Sequence, residues 1–289
     1  MTAAGHGDHA SPSGPALAPW VAAEDLASFQ EQGVVCLRGV FGNEWLEELR
    51  AGVEEALRNP GPLAENYTPQ GRPGRFFSDL DLWQRLPRFR NFVFRSPAAA
   101  LAGRLLQSQK VNFLYDQLFV KEPGTAERTP WHQDQPYWAV SGRQVCSLWL
   151  PLDPVAAESS VHYIKGSHRW PAYNPRHFSD HSPYRDTGLP DLPDIDAHPD
   201  RYERLSWDMQ PGDCLMFQAM TVHGASGNAS MVHRRRALAT RWCGDDARFV
   251  RRAGEVAIPT TDPGLAEGAE LDCEQFPVVW RAFEEPTRC

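Results

Sequence analysis

The sequence predicts an α+β, mainly β chain: a few N-terminal helices flanking an antiparallel double-sheet jelly roll. Helical spacing of apolar residues is confined to the N-terminal part. From residue 110 onward short apolar runs separated by Pro, Gly and Asp turn signals replace it. No internal repeat and no glycine-rich phosphate loop after a strand is visible, which argues against solenoids and nucleotide-binding α/β folds.

In chain order, residues 1–17 are small and polar and read as a disordered tail, with His6 and His9 as solvated side chains. Residues 18–289 are expected to form a single domain. A short helix over 22–32 stops at Gly33, and Val34-Val35-Cys36-Leu37 follows as a strand. Asn43 is placed to cap the next helix, whose Trp45, Leu46, Leu49, Val53 and Leu57 recur at core-facing spacing until Asn59-Pro60-Gly61. The Pro- and Gly-containing stretch 60–75 is a long loop. An aromatic segment from Phe76 to Phe94 reads mainly as core. Ser96-Pro97 opens another helix, with Ser at the cap and Pro at its first position.

Residues 112–121 alternate with neither face strictly polar, as in a central strand covered on both sides. Further strands are expected at His132 to Trp138, Val145 to Leu150, Val161 to Ile164, Arg204 to Met209, Cys214 to Gln218 and Arg235 to Cys243. The turn Gln210-Pro211-Gly212-Asp213 lies before Cys214. These place the jelly-roll core at about 110–245. Residues 171–200, rich in Pro, Asp and His without periodicity, form an insert within it.

Composition narrows the function. With 289 residues, 42% of them hydrophobic, the chain can bury one large core or two small ones. Its 29 basic and 37 acidic residues argue against nucleic-acid and anionic-membrane partners. Lysine is nearly absent (Lys110, Lys121, Lys165), a bias to which the sequence attaches no function. Cys36, Cys146, Cys214, Cys243, Cys273 and Cys289 form no C-x-x-C pair and read as free thiols in a reducing compartment. No membrane-length apolar run and no signal-like opening is present, so a cytoplasmic location is expected. The expected partner is a small-molecule substrate, and the chain is expected to be a monomer or homodimer.

The chemistry centres on Trp131-His132-Gln133-Asp134. On an extended strand a spacing of two places His132 and Asp134 on one face. Imidazole and carboxylate together suit Fe(II), and a second histidine would complete a facial triad with open positions. His223, between the apolar strand 214–217 and Gly224-Ala225-Ser226-Gly227-Asn228, is the candidate. A jelly roll returns distant strands to one mouth. Eight other histidines compete, His162 and His168 nearest in pattern. Arg234, Arg235 and Arg236 follow. A guanidinium is the group best suited to a two-point grip on a carboxylate, and strand alternation sends Arg235 to the face opposite its neighbours. Trp131, Tyr137 and Trp138 flank the ligand pair and are candidates to wall a substrate pocket.

Five segments occur in order: Trp131-His132-Gln133-Asp134, Gly166-Ser167-His168-Arg169, Pro211-Gly212-Asp213, His223-Gly224-Ala225-Ser226-Gly227-Asn228 and Arg235-Arg236-Ala237-Leu238. From about residue 20 to 250 the chain resembles the phytanoyl-CoA dioxygenase family of Fe(II)/2-oxoglutarate oxygenases. The resemblance implies a double-stranded β-helix (cupin-like jelly roll), Fe(II) held by His132, Asp134 and His223, 2-oxoglutarate as cosubstrate and O2 as oxidant. It also implies an arginine for the cosubstrate's far carboxylate. Counting about eleven residues on from His223 gives Arg234, and counting two back from Ala237 gives Arg235. Arg235 is favoured, because a loop absorbs an extra residue more easily than a strand. Trp149 matches a tryptophan near the cosubstrate, and Gln117 and Ser226 fall where family members contact it. Related halogenases replace the metal carboxylate by a small residue; Asp134 is present, so a C–H hydroxylase releasing succinate and CO2 is expected. Glu158-Ser159-Ser160 stands where many relatives carry Asn-Gly, which weakens transfer of substrate identity. The alternative is a metal-binding cupin-like jelly roll without oxygenase activity, an isomerase or binding module, which has no need of an arginine aimed at a dicarboxylate. A serine hydrolase finds no Gly-x-Ser-x-Gly elbow.

Overall fold

The computed structural model describes residues 21–282; the tail 1–17 with His6 and His9, and Cys289, lie outside them. Helix α1 (Ala23–Gln32) stops at Gly33, whose φ of 86° is open to glycine at little cost. A Cβ there would also run into His168 Nδ1. Strand β1 (Val34–Leu37) and helix α2 (Asn43–Arg58) follow. Asn43 is the first helical residue rather than the cap: the carbonyl of Gly42 accepts from Trp45 and Leu46, which moves the helix start forward by one. Strands β2 (Glu65–Asn66) and β3 (Phe76–Leu80) precede helices α3 (Leu82–Arg85), α4 (Pro87–Arg95) and α5 (Ala98–Leu106). At α5 the start again shifts by one. Pro97 stands at the cap position, and Ser96 Oγ accepts from the Ala98 N–H at 3.3 Å.

Strands β4 (Lys110–Lys121), β5 (Thr129–His132), β6 (Val140–Ser141), β7 (Val145–Pro151), β8 (Val161–Ile164), β9 (Arg204–Leu205) and β10 (Cys214–Gln218) come next. They are followed by β11 (His223–Ala225), β12 (Arg235–Cys243), β13 (Arg248–Phe249) and β14 (Val278–Arg281). An eight-stranded antiparallel sheet runs β1-β10-β7-β12-β4-β3-β2, with β14 also on β4, and a four-stranded sheet runs β5-β11-β8-β9. The large sheet therefore takes β1, β2, β3 and β14 from outside the 110–245 range assigned to the core.

Two expected strands are shorter than their sequence runs. The run from His132 to Trp138 leaves strand geometry after His132; Asp134 is αR and leads a 3₁₀ turn, Gln135–Tyr137. The Asp134 and Gln135 N–H groups both donate to Ala219 O, and Pro136 has no N–H for a ladder. The run from Arg204 to Met209 keeps two paired residues, and Met209 only bridges Val155.

Alternation on the central strands separates two layers of core. Leu118, Val120, Leu148, Leu150 and Leu238 face the helices with Leu49, Val53, Phe89 and Leu101. Trp149, Phe217, Ala237 and Ala239 face inward with Val161 and Tyr163 of the small sheet. That is why β7 is buried along its whole length. Phe77, Trp83, Phe89 and Phe92 belong to the helix-side core, whereas Phe76 lines a cavity between the sheets. No helix among the described residues is long and apolar enough to cross a membrane.

Candidate active site

His132 ends β5 and His223 opens β11, and these strands are paired with the two histidines directly opposite. The imidazoles face each other with ring centroids 4.1 Å apart. Each Nδ1 lies against a backbone carbonyl: His132 against Pro130 O at 2.8 Å, His223 against Thr221 O at 2.9 Å. A carbonyl only accepts, so Nδ1 carries the proton and Nε2 keeps its lone pair for a metal. Asp134 Oδ1 lies 3.5 Å from His132 Nε2 and 3.7 Å from His223 Nε2. Metal bonds of about 2.0–2.2 Å at right angles place neighbouring ligand atoms about 3 Å apart. Asp134 Oδ1 stands near that spacing from both imidazoles, and one ligand atom of each of the three residues lies within 4.8 Å of the others.

The other oxygen, Asp134 Oδ2, accepts from Ser147 Oγ at 2.6 Å, which leaves Oδ1 toward the histidines. Burial pushes the Asp134 carboxyl up, but His223, His132 and Arg241 outweigh it and hold it well below the usual carboxylate range. Burial, and then His132, push the His223 imidazole down to about 3. At neutral pH the site therefore offers a carboxylate and a neutral imidazole at these positions, the states a metal requires. The rival histidines lie elsewhere: His162 Nε2 sits by Glu158 O and His168 Nε2 by Gln30 O.

The triad opens into a cavity of about 460 Å³ between the sheets. On β12, Arg235, Ala237, Ala239 and Arg241 share the inward parity and line it. Arg235 is 8% exposed. Its guanidinium donates to Ser159 O and, at 3.1 Å, to Ser226 O, and no carboxylate pairs with it among the described residues. Burial pulls its pKa down to about 10, so it remains a cation. Arg234 turns out to Glu54 and Glu122 at 2.6 and 3.0 Å, and Arg236 to Asp153 at 2.6 Å. Directly across from Arg235 stands Lys121, 1% exposed, its Nζ on Glu127 O and Ser226 O and over the Phe76 ring. Burial, and then Arg235, pull this lysine well below its ordinary pKa.

Of the other expected residues, Gln117, Trp149 and Tyr137 line the cavity. Gln117 donates to Ser78 Oγ and accepts from Arg241. Ser226 does not present its hydroxyl: Oγ donates to Glu158 O, and only its carbonyl reaches Arg235 and Lys121. Trp131 and Trp138 do not wall the cavity. Trp131 packs with Ile164, Ile195 and Val222 under Arg204, and Trp138 is fully buried with Nε1 on Tyr115 OH. Trp131 precedes His132 within β5, where alternation puts it on the opposite face, and the turn after His132 carries Trp138 away.

Lys121, Ser147 and Arg241 went unremarked in the sequence. For Arg241 a signal existed, its shared parity with Arg235; Lys121 was set aside as bias, and nothing local marks Ser147. The loop 60–75 and the insert 171–200 both reach the cavity, through Tyr67 and through Phe178 and Tyr184. Tyr137 OH pins the insert by donating to Arg176 O and accepting from its N–H, and Phe178 meets His132 at 5.0 Å between centroids.

The phytanoyl-CoA dioxygenase (PhyH) family model matches residues 29–237. The chain belongs to the PhyH family. It is thus an Fe(II)/2-oxoglutarate oxygenase, using O2, of that family, and His132, Asp134 and His223 fit the donor set its iron needs. The multifunctional dioxygenase prhA of Penicillium brasilianum is 27% identical over 229 residues, 75% of this chain and 70% of that protein. Among solved structures, the α-ketoglutarate-dependent carbocyclase SnoK from nogalamycin biosynthesis superposes with a TM-score of 0.72 at 24% identity, covering 93% of this chain and 100% of that one. The epimerase SnoN in complex with Fe3+, α-ketoglutarate and nogalamycin RO superposes at 0.70 and 20% identity, covering 89% and 98%. These two likenesses establish the double-stranded β-helix fold for this PhyH-family member.

Proposed function

We propose that this PhyH-family enzyme is a hydroxylase. It takes up 2-oxoglutarate, O2 and a small molecule R–H and releases succinate, CO2 and R–OH. The observation that carries the cosubstrate assignment is Arg235, a buried cation facing the triad's cavity with no carboxylate among the described residues to pair with. Such a charge is costly unless a ligand supplies its partner, and a dicarboxylate does so.

His132 and His223 would hold the metal through Nε2 and Asp134 through Oδ1. Ser147 keeps Oδ2 turned away. Arg235, with Lys121 beside it, binds the far carboxylate of 2-oxoglutarate, and Trp149 and Gln117 flank the cosubstrate. When bound, iron supplies the open positions and the oxidising power. Phe178, Tyr184 and Tyr67 close the mouth and exclude water, so that oxidation is directed at the substrate. Because Asp134 occupies the position a halide would need, oxygen transfer is favoured over halogenation.

The test is succinate release with Fe(II), ascorbate and 2-oxoglutarate across a substrate panel, with mass spectrometry of the product under labelled O2. A product heavier by one labelled oxygen atom supports hydroxylation. A product that has lost two hydrogens, or has unchanged mass and altered configuration, refutes it.

A further inference from the structure

Arg241 is a second guanidinium in the cavity wall, at the metal end, and the roles given above, helping to keep Asp134 ionised and donating to Gln117, leave part of its donor set unused. It is 4% exposed and stacks over the Tyr115 ring at 4.4 Å. One terminal nitrogen donates to Ala239 O and the other to Gln117 Oε1, both at 3.2 Å. Its Nε has no hydrogen-bond partner among the described residues. The one carboxylate within 4 Å of it among the described residues is that of Asp134, with Oδ2 3.9 Å from Nε, beyond hydrogen-bond reach and already bonded to Ser147. A guanidinium has five N–H donors. Three of the five, the Nε–H among them, therefore have no partner among the described residues, and two N–H groups on one edge of a guanidinium form the fork that matches a carboxylate.

We propose that Arg241 anchors a carboxylate of the organic substrate, so that the substrate class is a small, largely apolar carboxylic acid. The rest of that acid lies against Tyr115, Tyr137, Phe178 and Phe217. This rests on the cosubstrate reading above. The same fork would also suit the 1-carboxylate of 2-oxoglutarate, and the experiment separates the two sources.

Wild-type protein is loaded without oxygen with Fe(II) and saturating 2-oxoglutarate, and benzoate and benzamide are titrated by calorimetry. Benzoate is expected to bind at least about tenfold tighter than its neutral isostere, equivalent to about 1.4 kcal/mol. Arg241→Gln should erase that preference, and Arg241→Lys should keep part of it. Equal binding of the two in wild type, or binding of neither, overturns the proposal without any variant. In the second arm 2-oxoglutarate is titrated into Fe(II) protein and followed by the visible charge-transfer band. Arg241→Gln should shift its dissociation constant by less than tenfold. A larger shift assigns Arg241 to the cosubstrate and overturns the substrate role. Absence of the band in wild type sinks the cosubstrate reading instead, and the benzoate preference is then still read on the Fe(II) protein.

Discussion

Replacing Arg235 by Ala should raise the 2-oxoglutarate requirement sharply, while Arg234→Ala and Arg236→Ala leave it nearly unchanged. Three adjacent arginines of one charge run have three different partner sets. Arg234 is paired with Glu54 and Glu122 at the surface and Arg236 with Asp153 and Glu54 on the helix side. Arg235 alone of the three lines the cavity and meets no carboxylate there. A hydrogen bond to a charged group contributes about 1.5–3 kcal/mol. At 1.4 kcal/mol per decade its loss weakens the cosubstrate by roughly ten- to more than a hundredfold. The variant also leaves Ser159 O and Ser226 O without this donor, although Ser226 O keeps Lys121. Arg234→Ala removes exposed pairs, worth about 0–1 kcal/mol and nothing at the cavity. The assay is succinate formation against 2-oxoglutarate for the three variants at fixed Fe(II) and substrate. A large shift for Arg234→Ala with none for Arg235→Ala would show that the inward parity of β12 does not select the cosubstrate's partner.

Further outcomes follow from the same geometry. His132→Ala, Asp134→Ala and His223→Ala should each abolish turnover and sharply weaken Fe(II) binding with the fold retained; full activity in His223→Ala would remove that residue from the site. Ser147→Ala takes the 2.6 Å donor from Asp134 Oδ2 and should lower iron affinity about 10–100-fold, as loss of a ligand's support does; an unchanged affinity by equilibrium dialysis would count against that support. Asp81, φ 54°, has its carboxyl pushed from 3.8 up to about 6 by burial and by neighbouring Asp79. An acid with a raised folded pKa ionises first in the unfolded chain, so it destabilises the fold progressively from about pH 4 to pH 6, with the full cost present above. The upper bound is about 3 kcal/mol, reduced to about 1–2 by the remaining solvent access. Asp81→Asn, which tolerates the same left-handed backbone, should therefore stabilise at pH 7 and not at pH 4 in urea unfolding; an equal gain at both pH values refutes the assignment.

Much of this enzyme was determined by sequence alone. Short apolar runs between turn signals located β1, β4, β8, β10 and β12, and helical spacing the leading helices, because those elements bury residues that follow one another or repeat locally. Residue chemistry proposed the triad, since only a few side-chain types can hold Fe(II), and strand parity singled out Arg235 among three arginines. Tertiary structure decided the rest. The reason given for pairing His132 with Asp134 did not survive: the strand ends at His132, and a turn held by Ala219 O brings the carboxylate round. The same turn withdraws Trp138 from the cavity, alternation within β5 puts Trp131 on the face away from His132, and a hydroxyl's choice of Glu158 O withdraws Ser226. Lys121, Ser147 and Arg241 acquire meaning only when β4, β7 and β12 lie side by side. Periodicity records what each residue does within its own element. Which residues of distant elements share a cavity is set by strand order, and no local pattern of side chains encodes that order.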